Sequence, residues 1–314
     1  TLSIRSLDPT VQIIATTHSL EGVDAVCDSL DNRIDDLVTY HINQGDDQTR
    51  VKGIADGAPL IPRGLESVET IMDVVRNLDD SVLFIQGPPG AGKTYTASHV
   101  ILGLLRAGKK VGVSSNSHHA INNLLAAVET RADEAKFSFR GLKKSGQDDE
   151  SAVLAGPCIQ LESDKNKLLD KWQAGASLIA GTAWLFSEPG LTSQLDYLFL
   201  DEAGQVSLAN LVAMGMSARN LVLMGDQMQL AQPVQGQHPG HSGDSTLDYL
   251  LNGLATIPAD RGIFLSQTWR MHPAVCSFIS EAVYDSQLTS ATGTENQRLS
   301  LDGKKPGIPE AGLY

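Results

Sequence analysis

Basic side chains are scarce in this sequence: 24 lysines and arginines stand against 37 aspartates and glutamates, a formal net charge of −13. Such a balance gives no support to a broad electrostatic footprint on nucleic acid, so a partner of that kind has to be held along a narrow local groove. Cysteine is scarcer still. Cys27, Cys158 and Cys276 lie far apart and form neither a ligand cluster nor a paired framework, which agrees with a reducing compartment and ordinary buried thiols. No apolar run approaches a membrane span, and the N-terminus shows no basic, apolar, small-residue leader. The expectation is a cytoplasmic protein with no membrane partner. Across 314 residues, 41% hydrophobic content is enough to bury the core of one large or two ordinary domains. The chain opens at Thr1 and closes at Tyr314 after a glycine- and proline-rich run, which reads as a piece of a longer protein.

What the sequence does hold is concentrated in SVLFIQGPPGAGKTY, Ser81–Tyr95. An apolar run bounded by charge and glycine predicts a buried strand over Ser81–Gln86. Gly87, Pro88, Pro89, Gly90, Ala91, Gly92, Lys93 and Thr94 then fit the spacing G-x-x-x-x-G-K-T, and a helix-forming stretch follows over Thr96–Arg106. Glycines let backbone amides curl around a phosphate chain without Cβ clashes, and a helix N-terminus adds its dipole. Lys93 suits the β- and γ-phosphates of a nucleotide, and Thr94 a magnesium ion.

Around this loop, strand and helix patterns alternate. A helix is predicted over Leu65–Asn77, a strand over Gly108–Ser115 and a helix over Ala120–Glu129. Further strands are predicted at Ser177–Gly181, Tyr197–Leu200, Asn220–Met224 and Gly262–Ser266, with a helix reaching Tyr284. Such alternation predicts an α/β fold with a mainly parallel sheet and helices on both faces. Residues 1–60 form an acidic segment, with nine Asp/Glu against three Lys/Arg in the first fifty, and with strand patterns at Val11–Ala15 and Leu37–Ile42 and a short helix at Gly22–Leu30. Gly53–Gly64 reads as a linker. The polar stretch 131–173 reads as an insertion or a longer helical excursion at the edge of the core. In it Lys143, Lys144, Lys165, Lys167 and Lys171 suit either a phosphate backbone or a solvated face with interspersed acids. Gly236–Ser245 reads as a loop whose His238 and His241 lack the company of a metal site, and 289–314 as a linker or truncated tail.

Three more places carry chemistry. Asp201 and Glu202 end an apolar strand, where open α/β sheets bind ligands; one carboxylate suits a magnesium ion and the other the water that attacks a γ-phosphate. Gln229, after the next strand, either senses that water or caps its own turn. Arg270, in QTWRMHP, offers paired donors to phosphate oxygens, with Trp269, Met271 and His272 expected to pack around it.

The order of these segments resembles the superfamily 1 helicases, in particular the class that includes the nonsense-mediated-decay RNA helicase and the Dna-two type nuclease-helicases. The resemblance rests on GPPGAGKT at 87–94, SNSHHA at 115–120, Gly181 with Thr182, DEAG at 201–204, GDQMQL at 225–230 and TWRMHPAV at 268–275, and it covers about residues 62–290. It implies a RecA-like P-loop NTPase fold: an ATP-dependent helicase or translocase motor of the AAA type, using ATP and Mg2+. Residues 61–288 would be the first motor domain with the start of a second. The resemblance assigns catalysis to Lys93, Glu202, Gln229 and Arg270, metal binding to Thr94 and Asp201, and contact with a single-stranded nucleic acid to Asn116, Ser117 and Thr182. DNA is favoured slightly over RNA, because similar motors are often fused to a nuclease.

Three departures from the family pattern stand out, one being that the large insertions of some relatives are absent or reduced here to Phe137–Lys171. No glutamine lies between Thr49 and Ser81 to read adenine, and Gln86 is too close to the loop to replace it. After Tyr284 nothing resembles the rest of a second RecA-like domain, so the isolated chain is expected to hydrolyse ATP weakly or not at all. The alternatives are a switch or remodelling NTPase that does not unwind, and a nucleotide-binding scaffold.

Overall fold

The computed structural model describes residues 3–6, 13–16, 51–54, 57–62, 64–146, 156–229 and 242–297. Strands β1 (Ser3–Ser6) and β2 (Ile13–Thr16) pair antiparallel. Helix α1 (Val68–Arg76) begins at a reciprocal cap, in which the Ser67 and Thr70 side chains each accept the other residue's backbone N–H. It buries Ile71, Val74 and Val75. Then follow β3 (Val82–Gln86), α2 (Lys93–Arg106), β4 (Val111–Ser114), α3 (His118–Glu134), β5 (Gly141–Lys144), β6 (Ile159–Glu162), α4 (Lys165–Gln173), β7 (Leu178–Gly181) and the single turn α5 (Ala183–Phe186). Next come β8 (Leu195–Leu200), α6 (Leu208–Gly215), β9 (Ala218–Gly225), α7 (Thr246–Leu251) and β10 (Gly262–Phe264). The described chain closes with β11 (Gln267–Thr268), α8 (Pro273–Val283) and β12 (Thr289–Ser290).

Eight strands form one sheet in the order β10-β3-β9-β8-β4-β7-β5-β6, and every pairing in it is parallel. The strand period of two splits the apolar residues between two cores. From β8, Tyr197 and Phe199 face the core that α1, α2 and α3 cover, while Leu198 and Leu200 face the one that α4, α6, α7 and α8 cover. A fully buried aromatic such as Phe199 stabilises the fold by several kcal/mol, so Phe199→Ala is expected to cost about 3–5 kcal/mol. After β3 the chain crosses to β4, and β8 and β9 later fill the gap between them. That reversal of strand order opens a crevice at the C-terminal ends of β3, β9, β8 and β4.

The stretch 131–173 departs from the expected insertion or helical excursion: it supplies two strands of the sheet itself, β5 and β6, besides α4. The expectation went astray because edge strands are short and carry lysines. Lys143 lies in β5 at 0% exposure, so it reaches no phosphate backbone, and Lys165 and Lys171 are paired with Glu188 and Glu162. The sequence readings at Leu37–Ile42, Gly22–Leu30, His18, His41, Cys27, His238, His241 and the tail from 298 onward fall outside the described residues. Among the described residues, no helix is long and apolar enough to cross a membrane.

Candidate functional site

The end of β3 turns into α2 through residues 87–92. Two glycines there hold left-handed backbone, Gly90 at φ +78° and Gly92 at φ +84°, which side-chain-bearing residues adopt only under strain. The loop is anchored at its start by Gly87 N–H donating to Gly225 O of β9 at 2.9 Å, and internally by Ala91 N–H to Pro88 O at 3.0 Å. A Cβ at Gly87 would collide with the Lys93 stem. That stem lies over the loop, and the Lys93 ammonium donates to Gly87 O at 2.7 Å. Pro88 is buried, Pro89 and Ala91 shape the turn, and Thr94 is exposed in the first turn of α2.

One strand over from β9, β8 ends in Asp201 and Glu202. Asp201 is 8% exposed, and its carboxyl is pushed up to about 6. Burial is the main cause and the neighbouring Glu202 charge the second, while the Glu202 N–H and the positive charge of Lys93 pull the other way. Lys93 and Asp201, from different strand ends, therefore share one electrostatic neighbourhood. Glu202 is half-buried in left-handed backbone at φ +53°, a conformation that costs a non-glycine residue about 1–2 kcal/mol.

The segment after β10 is strapped onto the glycine loop. Thr268, fully buried, donates through Oγ1 to Pro89 O at 2.9 Å, and Trp269 N–H donates to Gly90 O at 2.9 Å. Arg270 follows with an exposed side chain, and its Cβ stands so close to Gly90 that a Cβ there would collide with it. Trp269, expected to pack around Arg270, is 63% exposed. His272 caps α8, its Nδ1 accepting Ala274 N–H at 3.1 Å, and Met271 packs on the core.

Gln229 turns back on its own loop. Its Nε2 donates to Asp226 Oδ2 at 3.2 Å, and Tyr284 O–H donates to the same oxygen at 2.7 Å. Burial and this carboxylate push the Tyr284 hydroxyl well above the usual tyrosine range. Gln86, at 0% exposure, is spent on Gln227, Ala255 and Ile257, tying β3 to the segment before β10.

On the neighbouring strand ends, Asn116 follows β4 and donates through Nδ2 to Gln205 O. Ser117 is exposed and caps α3, accepting Ala120 N–H at 3.5 Å. Thr182 follows β7, half-buried at the entry to α5. Thus Lys93, Asp201, Glu202 and the Arg270 segment gather on one half of the C-terminal edge, with Asn116, Ser117 and Thr182 on the other. Gln229 is held by Asp226, the residue after the Gly225 whose carbonyl anchors the loop. Thr268 and Tyr284 were not singled out from the sequence, since each acts through a partner more than fifty residues away and leaves no local pattern.

The family described as "AAA domain" matches residues 69–242. Similar curated proteins are the DNA replication ATP-dependent helicase/nuclease JHS1 of Arabidopsis thaliana, 30% identical over 51% of this chain and 12% of its own length, and the DNA replication ATP-dependent helicase/nuclease DNA2 of Saccharomyces cerevisiae, 26% identical over 63% and 14%. A third is the Regulator of nonsense transcripts 1 homolog of Drosophila melanogaster, 25% identical over 73% and 22%. The chain thus spans between 12% and 22% of the length of these relatives. Among solved structures, the arterivirus nonstructural protein 10 helicase with DNA superposes over 67% of this chain and 41% of its own, with 16% identity and a TM-score of 0.42. The fold assignment rests on the sheet order instead.

Proposed function

The chain belongs to the AAA domain family, and on that premise we propose that it is the first motor domain of an ATP-dependent nucleic-acid helicase or translocase. The observation that carries this reading is the meeting of the Lys93 ammonium, folded into a glycine cradle, with a buried Asp201 carboxyl that feels its charge. The residues fit a nucleotide and a divalent cation. A Cβ at Gly87 would strike the Lys93 stem and one at Gly90 the Arg270 strap, Lys93 donates to a carbonyl that phosphate oxygens can replace, and Asp201 is a buried acid whose ionised form is only partly compensated by the Glu202 N–H and Lys93.

In this reading residues 87–92 wrap the phosphates with backbone amides, and Lys93 exchanges Gly87 O for the β- and γ-phosphates. Thr94 and Asp201 would hold magnesium, which when bound would supply positive charge against the phosphate oxygens. Glu202 takes the proton of the water whose oxygen bonds to the γ-phosphorus as the bond to the β,γ-bridging oxygen breaks and ADP leaves, and Arg270 extends its guanidinium from the strap to the γ-phosphate. Gln229 takes part only by leaving Asp226. Asn116, Ser117 and Thr182 touch the backbone of a single strand, which positions it without reading sequence. DNA is placed ahead of RNA because two of the relatives above are DNA replication helicase/nucleases, with a nuclease as associated or fused partner. Residues 61–288 make up the motor portion, and a second RecA-like domain completes the cleft.

The test is nucleotide binding and hydrolysis with and without a single-stranded oligonucleotide, using this chain and this chain joined to a second RecA-like domain. ATP binding is expected in both, weakened at least ~100-fold by Lys93→Ala, with oligonucleotide-stimulated hydrolysis in the joined form. Binding indifferent to Lys93→Ala would overturn the site. Hydrolysis in the joined form that ignores both DNA and RNA would overturn the translocase, and robust unwinding by the 314-residue chain alone would overturn its need for a second domain.

A further inference from the structure

The geometry points to Trp184 as a stacking platform for one base of the bound single strand, an inference that rests on the nucleic-acid reading above. Trp184 sits in the turn α5, three residues past the end of β7. Its neighbours Ala183, Leu185 and Phe186 are buried at 9%, 4% and 1% exposure, while its own side chain is 63% exposed. The turn is fixed by Leu185 N–H to Thr182 O at 3.0 Å, Ser187 N–H to Ala183 O at 3.1 Å and Ser187 Oγ to Trp184 O at 3.1 Å. The indole is therefore presented from a held backbone. Trp172 shows the contrast: on the inner face of α4 it is fully buried.

Strand register gives the indole its company. Ser114 of β4 is level with Gly181 of β7, and Lys143 of β5 with Ala180, so Lys144 comes level with Gly181. A Cβ on Gly181 would stand 3.3 Å from Lys144 Cβ. The Lys144 ammonium donates to Ser163 O at 2.9 Å and Ser145 O at 3.0 Å, both neutral acceptors that leave its charge in place. Adjacent strands are about 4.8 Å apart, so the row from β4 to β5 places the Asn116 amide, the Ser117 and Thr182 hydroxyls, an exposed indole and an ammonium within ~10–15 Å. Hydrogen-bond donors and a cation suit phosphates, and a π-face suits any base, which is how single strands are held without sequence preference. The occupant is nucleic acid rather than protein because the ring stands singly. Its helical neighbours are buried, so it is not the centre of an apolar patch of the kind a protein interface needs.

The test is binding of fluorescently labelled dT and U oligonucleotides to the chain, to Trp184→Ala and to Trp184→Phe, each also against an oligonucleotide of abasic units. An exposed residue can be replaced without unfolding, which circular dichroism checks. Trp184→Ala is expected to weaken binding about 5- to 150-fold and Trp184→Phe less. The abasic strand should bind the wild type more weakly but lose nothing further with Trp184→Ala. If the wild type binds and Trp184→Ala stays within twofold, the platform is overturned while the nucleic-acid reading stands. A wild type that binds no oligonucleotide of either chemistry overturns both. Should Trp184→Ala misfold, the Trp184→Phe variant decides: oligonucleotide-induced quenching of tryptophan fluorescence that persists undiminished in Trp184→Phe comes from another ring, such as the exposed Trp269, and overturns the platform.

Discussion

The two halves of the sheet's C-terminal edge differ in how far their polar groups are spent inside the chain. On the β3, β9 and β8 half, Lys93 is folded onto Gly87 O, Thr268 is strapped to Pro89 O, Asp226 holds Tyr284 and Gln229, and Asp201 is 8% exposed. On the β4, β7 and β5 half, Asn116 donates to Gln205 O and Lys144 to Ser145 O and Ser163 O, but Ser117 is exposed, Thr182 is half-buried, and Trp184 is 63% exposed. The difference follows from the chemistry proposed for each. Stabilising charge in a phosphoryl-transfer transition state needs groups fixed in advance in a poorly solvated place. Following a strand needs accessible groups that can release and re-engage it. One half is built to be rigid, the other to be reached.

The sharpest way to break this comparison is to loosen the rigid half. Gly90 and Gly108 share nearly the same left-handed backbone, at φ +78° and +74°. A Cβ at Gly90 would strike Arg270 Cβ, with Thr268 Oγ1 at 2.9 Å, whereas one at Gly108 would meet nothing within 4 Å. Gly108→Ala should therefore cost about 1–2 kcal/mol of backbone strain, and Gly90→Ala about 2–4 kcal/mol because the strap must move as well. Urea unfolding of the two variants measures the gap. Equal costs would mean that the 268–270 segment is not held against the loop.

That strap also marks where the sequence stops being informative. The strand, glycine loop and helix over 82–106 were legible because an apolar run, obligatory glycines and a helix pattern lie side by side in the chain. The acidic pair after β8 was legible for the same reason. Contacts such as Thr268 to Pro89 join residues about 180 positions apart, and neither partner is unusual where it stands. Strands β5 and β6 were missed because GLKK and IQLE look solvated, and only the neighbouring strands and helices bury Lys143. Gln229 could be read two ways from its position. Its side chain adopts the turn-capping arrangement.

A second measurement separates the halves by pH. The Asp201 carboxyl is raised from 3.8 to about 6, so the folded state holds a proton that the unfolded state has released. Below pH ~4 both states are protonated and burial costs nothing. Between ~4 and ~6 stability falls as pH rises, and above ~6 the full penalty of an ionised buried carboxyl is present. Asp201→Asn keeps an oxygen for the Glu202 N–H, which donates to Oδ1 at 3.0 Å, and removes the charge. In the absence of a cation it should stabilise the chain by about 1–3 kcal/mol at pH 7 and by nothing near pH 4. Because a divalent cation competes with that proton, Mg2+ should bind the wild type more tightly as pH rises through ~6 and gain no such dependence in Asp201→Asn. Thermal unfolding scanned from pH 4 to 8, with and without Mg2+, reads both effects.

The smallest expected effect falls on the exposed half, at Ser117. Its hydroxyl accepts Ala120 N–H at a long 3.5 Å, so as a helix cap it contributes at the low end of the usual range. Ser117→Ala should lower stability by only ~0.5 kcal/mol, while Ser117→Gly, which suits a cap position, should cost no more than that. If the hydroxyl serves the strand, both variants lose oligonucleotide affinity by a similar factor of about 2–5, whatever their stability. If it serves only the helix, affinity follows stability and Ser117→Gly binds like the wild type. Pairing urea unfolding with oligonucleotide titration for the two variants tells these apart. A cap with strand contact would show that even the reachable half spends its side chains twice, once on the fold and once on the partner.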